Sequence, residues 1–277
     1  MVLSSFPSLF VFVFGLIVGS FLNCLIYRLQ IKERFLIGRS YCPNCKHVLG
    51  WKDLIPIFSF IVLRGKCRYC QTPISWQYPL VEFATGALFL LIVDELRSFS
   101  PFAIAWVSKF AGIESVYFLY LLIISCFLII VFVFDFKHFI IPDGVIYPAI
   151  LLSGIWYLVS GIFLNFYTKY EILNITYSAF GAAAFFLTIV LISRGKWMGF
   201  GDVKLAFFMG LFLGFPDILV ALFLAFFIGA IIGIGLIILK KKTLKSELPF
   251  GPFLVTGTFI ALFWGEKIIN WYLSLIL

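Results

Sequence analysis

Charged residues are scarce in this sequence. Asp, Glu, Lys and Arg make up 12% of its 277 residues, whereas 63% are hydrophobic and the mean hydropathy is +1.11. Because soluble domains carry about 25% charged residues, this composition excludes a chain folded around one water-soluble core. It predicts a protein that lies in a lipid bilayer and crosses it several times.

Two sequence signals are also absent. No basic residue precedes the first apolar stretch, and no small-residue cleavage pattern follows it, so we expect a retained membrane helix rather than a removable signal peptide. No glycine-rich nucleotide-binding fingerprint follows a predicted strand. The residues alone therefore do not locate a nucleotide-type cofactor site.

Eight apolar stretches, bounded by charged or turn residues, predict transmembrane helices. They comprise residues 7–27, 79–94, 115–134, 144–164, 175–193, 202–215, 217–239 and 252–274. The sixth is short for a transmembrane helix. The predicted fold class is an all-α polytopic membrane protein with about eight transmembrane helices and a small zinc-ribbon-like cytoplasmic loop domain.

The positions of the basic residues predict the orientation of the chain. With the N-terminus outside, 17 of the 21 Lys and Arg residues fall in cytoplasmic segments and 4 fall outside, as the positive-inside rule requires. Three regions are predicted: a first transmembrane helix at 1–27, a cytoplasmic loop domain at 28–78 and a transmembrane core at 79–277. The net charge of +8 reflects this topology, and nothing in the sequence indicates nucleic-acid binding.

The loop carries two CxxC pairs, Cys42 with Cys45 and Cys67 with Cys70. Two such pairs supply four thiolates for a tetrahedral zinc ion, which would be structural because four protein ligands leave no open position. The alternatives are two disulfides, which a reducing cytoplasm disfavours, and reduced thiols without a role. We expect His47 to be solvated rather than a ligand. Nearby basic residues are expected to keep the thiols deprotonated; they are Lys46, Lys66 and Arg68.

Few carboxylates lie in or beside the apolar stretches, where an ionised group is costly unless it has a partner or a function. Asp135 ends the third stretch and Asp202 begins the sixth, so the predicted topology places both at the cytoplasmic membrane surface. Two carboxyl groups that share one proton can activate a water molecule to attack a peptide carbonyl. The pattern predicts an aspartic protease. The alternative for Asp202, which follows Gly199 and Gly201, is a helix N-cap preceded by turn glycines.

Two other carboxylates are candidates for supporting roles. Asp143 follows Pro142 and precedes an apolar run, which favours a helix N-cap or support of a substrate loop over a partnership with Asp135. Glu82 lies at the inner end of the second stretch. It is expected either to orient a cationic group or to be satisfied by a neighbouring Lys or Arg of the loop.

The order of the motifs resembles that of the type IV prepilin peptidases over nearly the whole chain. The motifs are Gly19–Asn23 with Arg28, Arg39–Cys45, Trp51–Pro56, Gly65–Cys70, Ile74–Glu82 with Thr85–Gly86, Asp135 with Ile141–Asp143, Gly199–Leu205 and Pro249–Pro252. Cys24 departs from the pattern, at a position expected to be aliphatic.

The resemblance implies a membrane-embedded aspartic endopeptidase that removes a short basic leader from type IV prepilins or pseudopilins, cutting after a glycine. Asp135 and Asp202 match the catalytic pair of this GxGD-type family. Supporting roles are expected for Asp143, Gly199, Gly201, Lys204 and Glu82. The hydrophobic stem of the pilin is expected to lie laterally against the membrane helices.

Members of the family that have the full cytoplasmic loop also methylate the new N-terminal amine with S-adenosylmethionine, so the resemblance implies both activities. It points to the loop region for the cofactor without assigning residues to it. The implied location is the bacterial inner membrane, with the active site facing the cytoplasm. Two alternatives remain: a GxGD aspartic protease without methyltransferase activity, and a polytopic transporter. The surface position of the acidic pair and the lack of a convincing internal repeat argue against the transporter.

Overall fold

The computed structural model describes residues 6–33, 38–99, 113–163, 167–240 and 248–276, and these are almost entirely helical. The helices are α1 (Phe6–Ile31), α2 (Phe58–Val62), α3 (Gln77–Phe99), α4 (Ile113–His138), α5 (Asp143–Leu158), α6 (Lys169–Ser193), α7 (Phe200–Leu213), α8 (Asp217–Ile238) and α9 (Gly251–Ile276). A single 3-10 turn covers Trp51–Asp53, and a π-helical turn extends α5 over Val159–Phe163. Two isolated β-bridges are the only extended pairings within the described residues.

Seven helices in the described part of the chain are long and apolar enough to cross a membrane, namely α1, α3, α4, α5, α6, α8 and α9. This confirms the predicted all-α membrane fold. The predicted sixth span, 202–215, forms the 14-residue helix α7, which is about 21 Å long and shorter than a bilayer core of about 30 Å. The last residue of the predicted span 144–164 lies outside the described residues. Five of the basic residues used in the orientation prediction also lie outside them, namely Arg34, Lys109, Lys241, Lys242 and Lys245.

The chain divides into two compact units, Met1–Ile129 and Ile130–Leu277. This division follows packing, whereas the predicted regions 1–27, 28–78 and 79–277 follow membrane topology and stay a prediction.

In the first unit, α1 packs closely along α3. A Cβ atom added to Gly15 would lie 2.7 Å from the Cα of Gly86, and one added to Gly19 would lie 2.7 Å from the Cα of Glu82. Small residues let membrane helices approach to backbone contact. The close packing fixes the two helices that flank the cysteine loop.

In the second unit, α7 packs against α5, α6, α8 and α9. Its residues Leu205, Ala206 and Met209 are fully buried. A Cβ atom added to Gly210 would lie 2.6 Å from the Cα of Ala179 on α6. Because other helices enclose it, the short α7 is stabilised by protein contacts and places its first turn, with Asp202, at a defined position.

Candidate active site and cysteine cluster

Asp135 lies in the last turn of α4 and is only 5% exposed. Its Oδ2 atom accepts a hydrogen bond of 2.9 Å from the backbone N–H of Gly251, the first residue of α9. The first N–H groups of a helix lack intrahelical partners, and the helix dipole favours negative charge at that end. The N-terminus of α9 therefore stabilises an ionised Asp135.

At position 251 only glycine leaves the Asp135 carboxyl group where it is. A Cβ atom there would lie 2.6 Å from Oδ2 of Asp135 and 3.0 Å from its Cγ, distances that require the carboxyl group to move. This contact gives the Pro249–Pro252 motif a physical role, because its glycine carries the N–H that holds Asp135.

Asp202 is the third residue of α7, and its Oδ2 atom accepts a hydrogen bond of 3.2 Å from the N–H of Gly199. The N-cap position is occupied by Gly199, so the alternative prediction of Asp202 as the N-cap is wrong by three residues. The carboxyl group also interacts electrostatically with Asp135. The two predicted aspartates, at the end of α4 and the start of α7, thus lie within electrostatic range of each other, and their role as a catalytic pair stays a prediction.

Two neighbouring carboxyl groups do not both ionise readily, so such a pair holds a shared proton over a range of pH. One member can then accept a proton from water while the other donates a proton to a substrate oxygen. The arrangement of Asp135 and Asp202 has the chemical groups needed for hydrolysis of an amide bond.

The two glycines before Asp202 differ in their surroundings. A Cβ atom on Gly201 would lie 3.1 Å from the Cβ of Ile141, closer than most real contacts. A Cβ atom on Gly199 would meet nothing closer than 3.8 Å, and the backbone there is extended, with φ of −89°. Close packing therefore requires a small residue at 201, whereas no contact explains the glycine at 199.

Asp143 and Lys204 form an ion pair that connects α5 to α7. The Nζ atom of Lys204 lies 2.6 Å from Oδ1 of Asp143 and 4.9 Å from the centroid of the Tyr147 ring. Pro142 occupies the N-cap position of α5 and Asp143 is its first residue, so the prediction of Asp143 as an N-cap is wrong. The pair lies where α5 and α7 begin and fixes the two helix ends relative to each other.

Glu82 is 7% exposed, and its Oε2 atom accepts a hydrogen bond of 2.7 Å from the backbone N–H of Ile57. Of the two alternatives predicted for Glu82, a Lys or Arg partner from the loop is not observed, since a backbone N–H takes that place, and orientation of a cationic group stays a prediction. Ile57 has φ of 58° and ψ of −49°, a conformation that is costly for a β-branched residue. Glu82 thus holds the cysteine loop against α3 at a strained backbone position.

Sequence analysis assigned no role to two further buried polar residues of the first unit. Asn23, 1% exposed, donates to the carbonyl oxygen of Tyr78 at 3.0 Å and accepts a bond from Gln77. Arg28, 5% exposed, donates to the carbonyl oxygen of Gly38 at 2.7 Å. Asn23 lies inside the apolar stretch 7–27, where an unpaired polar group is costly, and this signal in the sequence could have identified it as an anchor of the loop. Arg28 lies just beyond the stretch and carried no such signal.

The four loop cysteines form a cluster in which all sulfur atoms lie within 4.8 Å of one another. The Sγ atoms of Cys42 and Cys70 are 3.9 Å apart. Four sulfurs that each lie about 2.3 Å from a tetrahedral zinc ion are about 3.8 Å from one another, whereas disulfide sulfurs are about 2 Å apart. The donor set and its dimensions fit a tetrahedral metal ion, and all four cysteines are free thiols.

Hydrogen bonds rather than basic side chains favour the thiolate forms of Cys42 and Cys70. For Cys45 the backbone N–H of His47 works in the same direction, but burial and hydrogen bonds with Cys70 and Cys42 raise its pKa to about 11. The hydroxyl and backbone N–H of Thr72 lower the pKa of Cys70 to about 6. Partial burial opposes ionisation of Cys42, but backbone N–H groups of Cys45 and Asn44 lower its pKa. The sequence predicts that nearby positive charges keep the thiols deprotonated. For two of the three basic residues named for this role, Lys46 and Arg68, this contribution is not observed.

Those two basic residues have other partners. Lys46 lies over the ring of Tyr41, and the Nε atom of Arg68 lies 2.6 Å from Oδ1 of Asp53. Although partial burial works in the opposite direction, hydrogen bonds from Arg68 and from the N–H of Gly50 lower the pKa of Asp53. Asp53 therefore links the second cysteine pair to the Trp51–Asp53 turn. The ring of His47 lies against the ring of Tyr69, with 3.6 Å between the ring centroids. His47 is not part of the cysteine cluster.

An apolar groove of about 610 Å³ lies between α6 and α8. Asn174, at one end, bonds the backbone of Phe215 with both its amide nitrogen and its amide oxygen, so its polar atoms are satisfied. Phe226, which also lines the groove, lies 5.0 Å from the ring of Phe250, the neighbour of Gly251. The groove thus ends at a residue whose ring contacts Phe250, and most of its lining is apolar.

Comparisons with known proteins agree with this arrangement. The "Bacterial Peptidase A24 N-terminal domain" matches residues 13–96, and the "Type IV leader peptidase family" matches residues 122–234. A protein of Aeromonas salmonicida strain A449 named "Prepilin leader peptidase/N-methyltransferase" is 32% identical over 299 residues, covering 96% of this chain and 94% of that protein. Proteins of the same name from Aeromonas hydrophila and Legionella pneumophila are 32% and 30% identical and cover 95% and 97% of this chain, with 93% and 95% of their own lengths matched.

No solved structure matches the chain. The matched regions include both aspartates of the second unit's acidic pair and all four clustered cysteines. The chain therefore belongs to the type IV leader peptidase family, a family of proteases.

Proposed function

We propose that this protein removes the leader peptide from type IV prepilins or pilin-like proteins by cutting after a glycine, and then methylates the new N-terminal amine. The observation that supports the proposal is the electrostatic interaction between Asp135, in the last turn of α4, and Asp202, in the first turn of α7, in a chain of the leader peptidase family. The relatives' shared name, which includes N-methyltransferase, supports the second activity.

In the peptidase step, Asp135 is the ionised partner. Each carboxyl group accepts a backbone N–H bond at a helix N-terminus, and the bond from Gly251 to Asp135, 2.9 Å, is shorter than the bond from Gly199 to Asp202, 3.2 Å, which favours the charge on Asp135. Asp202 carries the shared proton. Asp135 accepts a proton from a water molecule while the oxygen of that water bonds to the carbonyl carbon. At the same time Asp202 donates a proton to the carbonyl oxygen. Collapse of the tetrahedral intermediate breaks the C–N bond. Asp135 delivers to the leaving amine nitrogen the proton that it took from water, and a hydroxyl group of the intermediate returns a proton to Asp202 as the new carboxyl group forms.

S-adenosylmethionine, when bound, supplies the methyl group that the new amine takes, with loss of a proton from nitrogen. No residue of this chain is assigned to the cofactor. Zinc is proposed as a structural ion held by Cys42, Cys45, Cys67 and Cys70. It orders the loop and has no open coordination position for chemistry.

The arrangement of helix ends supports the predicted topology. Asp135, Asp202 and Gly251 lie together, so α4 ends on the side of the membrane where α7 and α9 begin. Because α8 returns the chain to that side, α7 must carry it away and counts as a crossing despite its length. We propose eight crossings in the bacterial inner membrane, with both termini outside and the acidic pair facing the cytoplasm.

In this orientation the groove between α6 and α8 fits the apolar stem of the substrate. The stem runs outward from the cleavage site, and the groove runs from Phe226, beside Phe250, towards Asn174 and Phe215. An apolar helix has its backbone hydrogen bonds satisfied internally and needs none from the groove.

The test uses the purified protein in lipid vesicles with a full-length model prepilin. Product masses are measured with and without added S-adenosylmethionine. Cleavage after the glycine in both samples, with one methyl group added only in the second, is the expected result. Cleavage elsewhere contradicts the proposed specificity, and a product that never gains a methyl group contradicts the second activity.

A further inference from the structure

The short helix α2 in the cysteine loop exposes an apolar face. Its residues Phe58, Ile61 and Val62 are 61%, 66% and 58% exposed. Spacings of three and four residues place them side by side on one face of the helix. A cluster of large apolar side chains open to water is unfavourable unless another surface covers it.

The hydrogen bond between Glu82 and Ile57 fixes the depth of this helix relative to the membrane. Ile57 is the residue directly before α2, and its N–H donates to Glu82 at 2.7 Å. Glu82 lies about 8 Å along α3 from its first residue, inside the candidate membrane span Gln77–Glu95. Leu80 and Phe83, at the same level of α3, are 62% and 56% exposed, as expected for side chains that contact lipid. The start of α2 is therefore held at the level of the membrane.

The charges and aromatic residues around α2 suit a membrane surface. Trp51 and Trp76 are 72% and 71% exposed, and exposed Trp residues are enriched where membrane meets water. Residues 38–76 contain six Lys and Arg residues against one acidic residue, a charge balance that attracts anionic lipid head groups. Arg64 and Lys66, just after α2, are exposed.

We propose that α2 is an interfacial anchor that inserts its apolar face, Phe58, Ile61 and Val62, into the bilayer leaflet on the side of the cysteine loop. The basic residues that follow it contact anionic head groups. The cysteine cluster is then held at the membrane surface by lipid contacts as well as by the bond to Glu82. This role is independent of the proposed peptidase and methyltransferase activities.

The test places the photoreactive residue p-benzoylphenylalanine at position 58 of the full-length protein. The protein is reconstituted in vesicles of phosphatidylethanolamine and phosphatidylglycerol, irradiated and analysed by mass spectrometry for lipid adducts. Position 83 on α3 is the positive control. Position 48, where Val48 is an exposed apolar residue of the first cysteine hairpin, is the negative control. Position 61 is a second test site if the variant at 58 does not fold.

We expect lipid adducts at position 58 in yields similar to those at position 83. At position 48 we expect no adducts. Adducts at 83 but none at 58 or 61 would overturn the proposal and leave α2 facing water. Crosslinks from 58 or 61 to a second copy of the chain would also overturn it, since the apolar face would then cover a protein contact.

Discussion

The substitution Gly251→Ala is expected to disable the acidic pair without altering either aspartate. The added Cβ atom would lie 2.6 Å from Oδ2 of Asp135, whereas ordinary contacts begin at 3.4 Å, so the two groups must separate by about 0.8 Å. The separation weakens the N–H to carboxylate bond, which is worth about 1.5–3 kcal/mol. It also displaces a reacting group by nearly the distance of about 1 Å that can cost about 100-fold in rate. We expect cleavage to slow by about 10-fold to 100-fold.

The assay is the initial rate of prepilin cleavage in proteoliposomes at saturating substrate. The matched control is Gly154→Ala in α5, where an added Cβ atom meets nothing within 4 Å, and it should cleave at the wild-type rate. Thermal unfolding of both variants is measured alongside to confirm that each is folded. If the Gly251→Ala protein is folded and cleaves as fast as the control, the contact with Asp135 does not position a catalytic group.

Three further outcomes are expected in the first unit. Glu82→Gln replaces a charged hydrogen-bond acceptor by a neutral one, a loss of about 1 kcal/mol, so hydrogen exchange at residues 55–62 should accelerate about fivefold; unchanged exchange would contradict the anchoring role. Purified protein should contain about one zinc ion per chain by elemental analysis, which Cys45→Ser removes and Cys126→Ser retains; a metal-free wild type would refute the zinc site. The pKa of Asp53 is lowered from 3.8, so its contribution to stability is present above that pH and lost as the pH falls below it. Loop protection, measured as the exchange rate relative to the intrinsic rate at each pH, should therefore fall below about pH 4 in wild type but not in Asp53→Asn, and equal protection profiles would contradict it.

The membrane fold follows from local sequence signals. Long apolar stretches end at charged or turn residues, and lipid leaves the backbone of such stretches little choice but a helix. The cysteine cluster was equally predictable, because two CxxC pairs fix the ligand number and most of the geometry. The predicted topology places Asp135 and Asp202 at the same membrane surface, and the electrostatic interaction between them supports that prediction.

The contacts that hold the site were not predictable in this way, because each joins residues far apart in sequence. Gly251 and Asp135 are 116 residues apart, and Lys204 and Asp143 are 61 apart. The N-cap predicted for Asp143 failed by one residue, since Pro142 occupies that position. The helix α2 has only five residues, too few for an apolar period to stand out from the surrounding loop.

Cleavage of a model prepilin by Asp135→Asn, Asp202→Asn and Asp143→Asn variants in membranes tests the central claim most directly. Each substitution keeps the size of the side chain and removes its ability to ionise. Asp135→Asn and Asp202→Asn should abolish cleavage, whereas Asp143→Asn, which only weakens the ion pair with Lys204, should largely retain it. Cleavage that survives either of the first two substitutions would contradict the assignment of Asp135 and Asp202 as the catalytic pair.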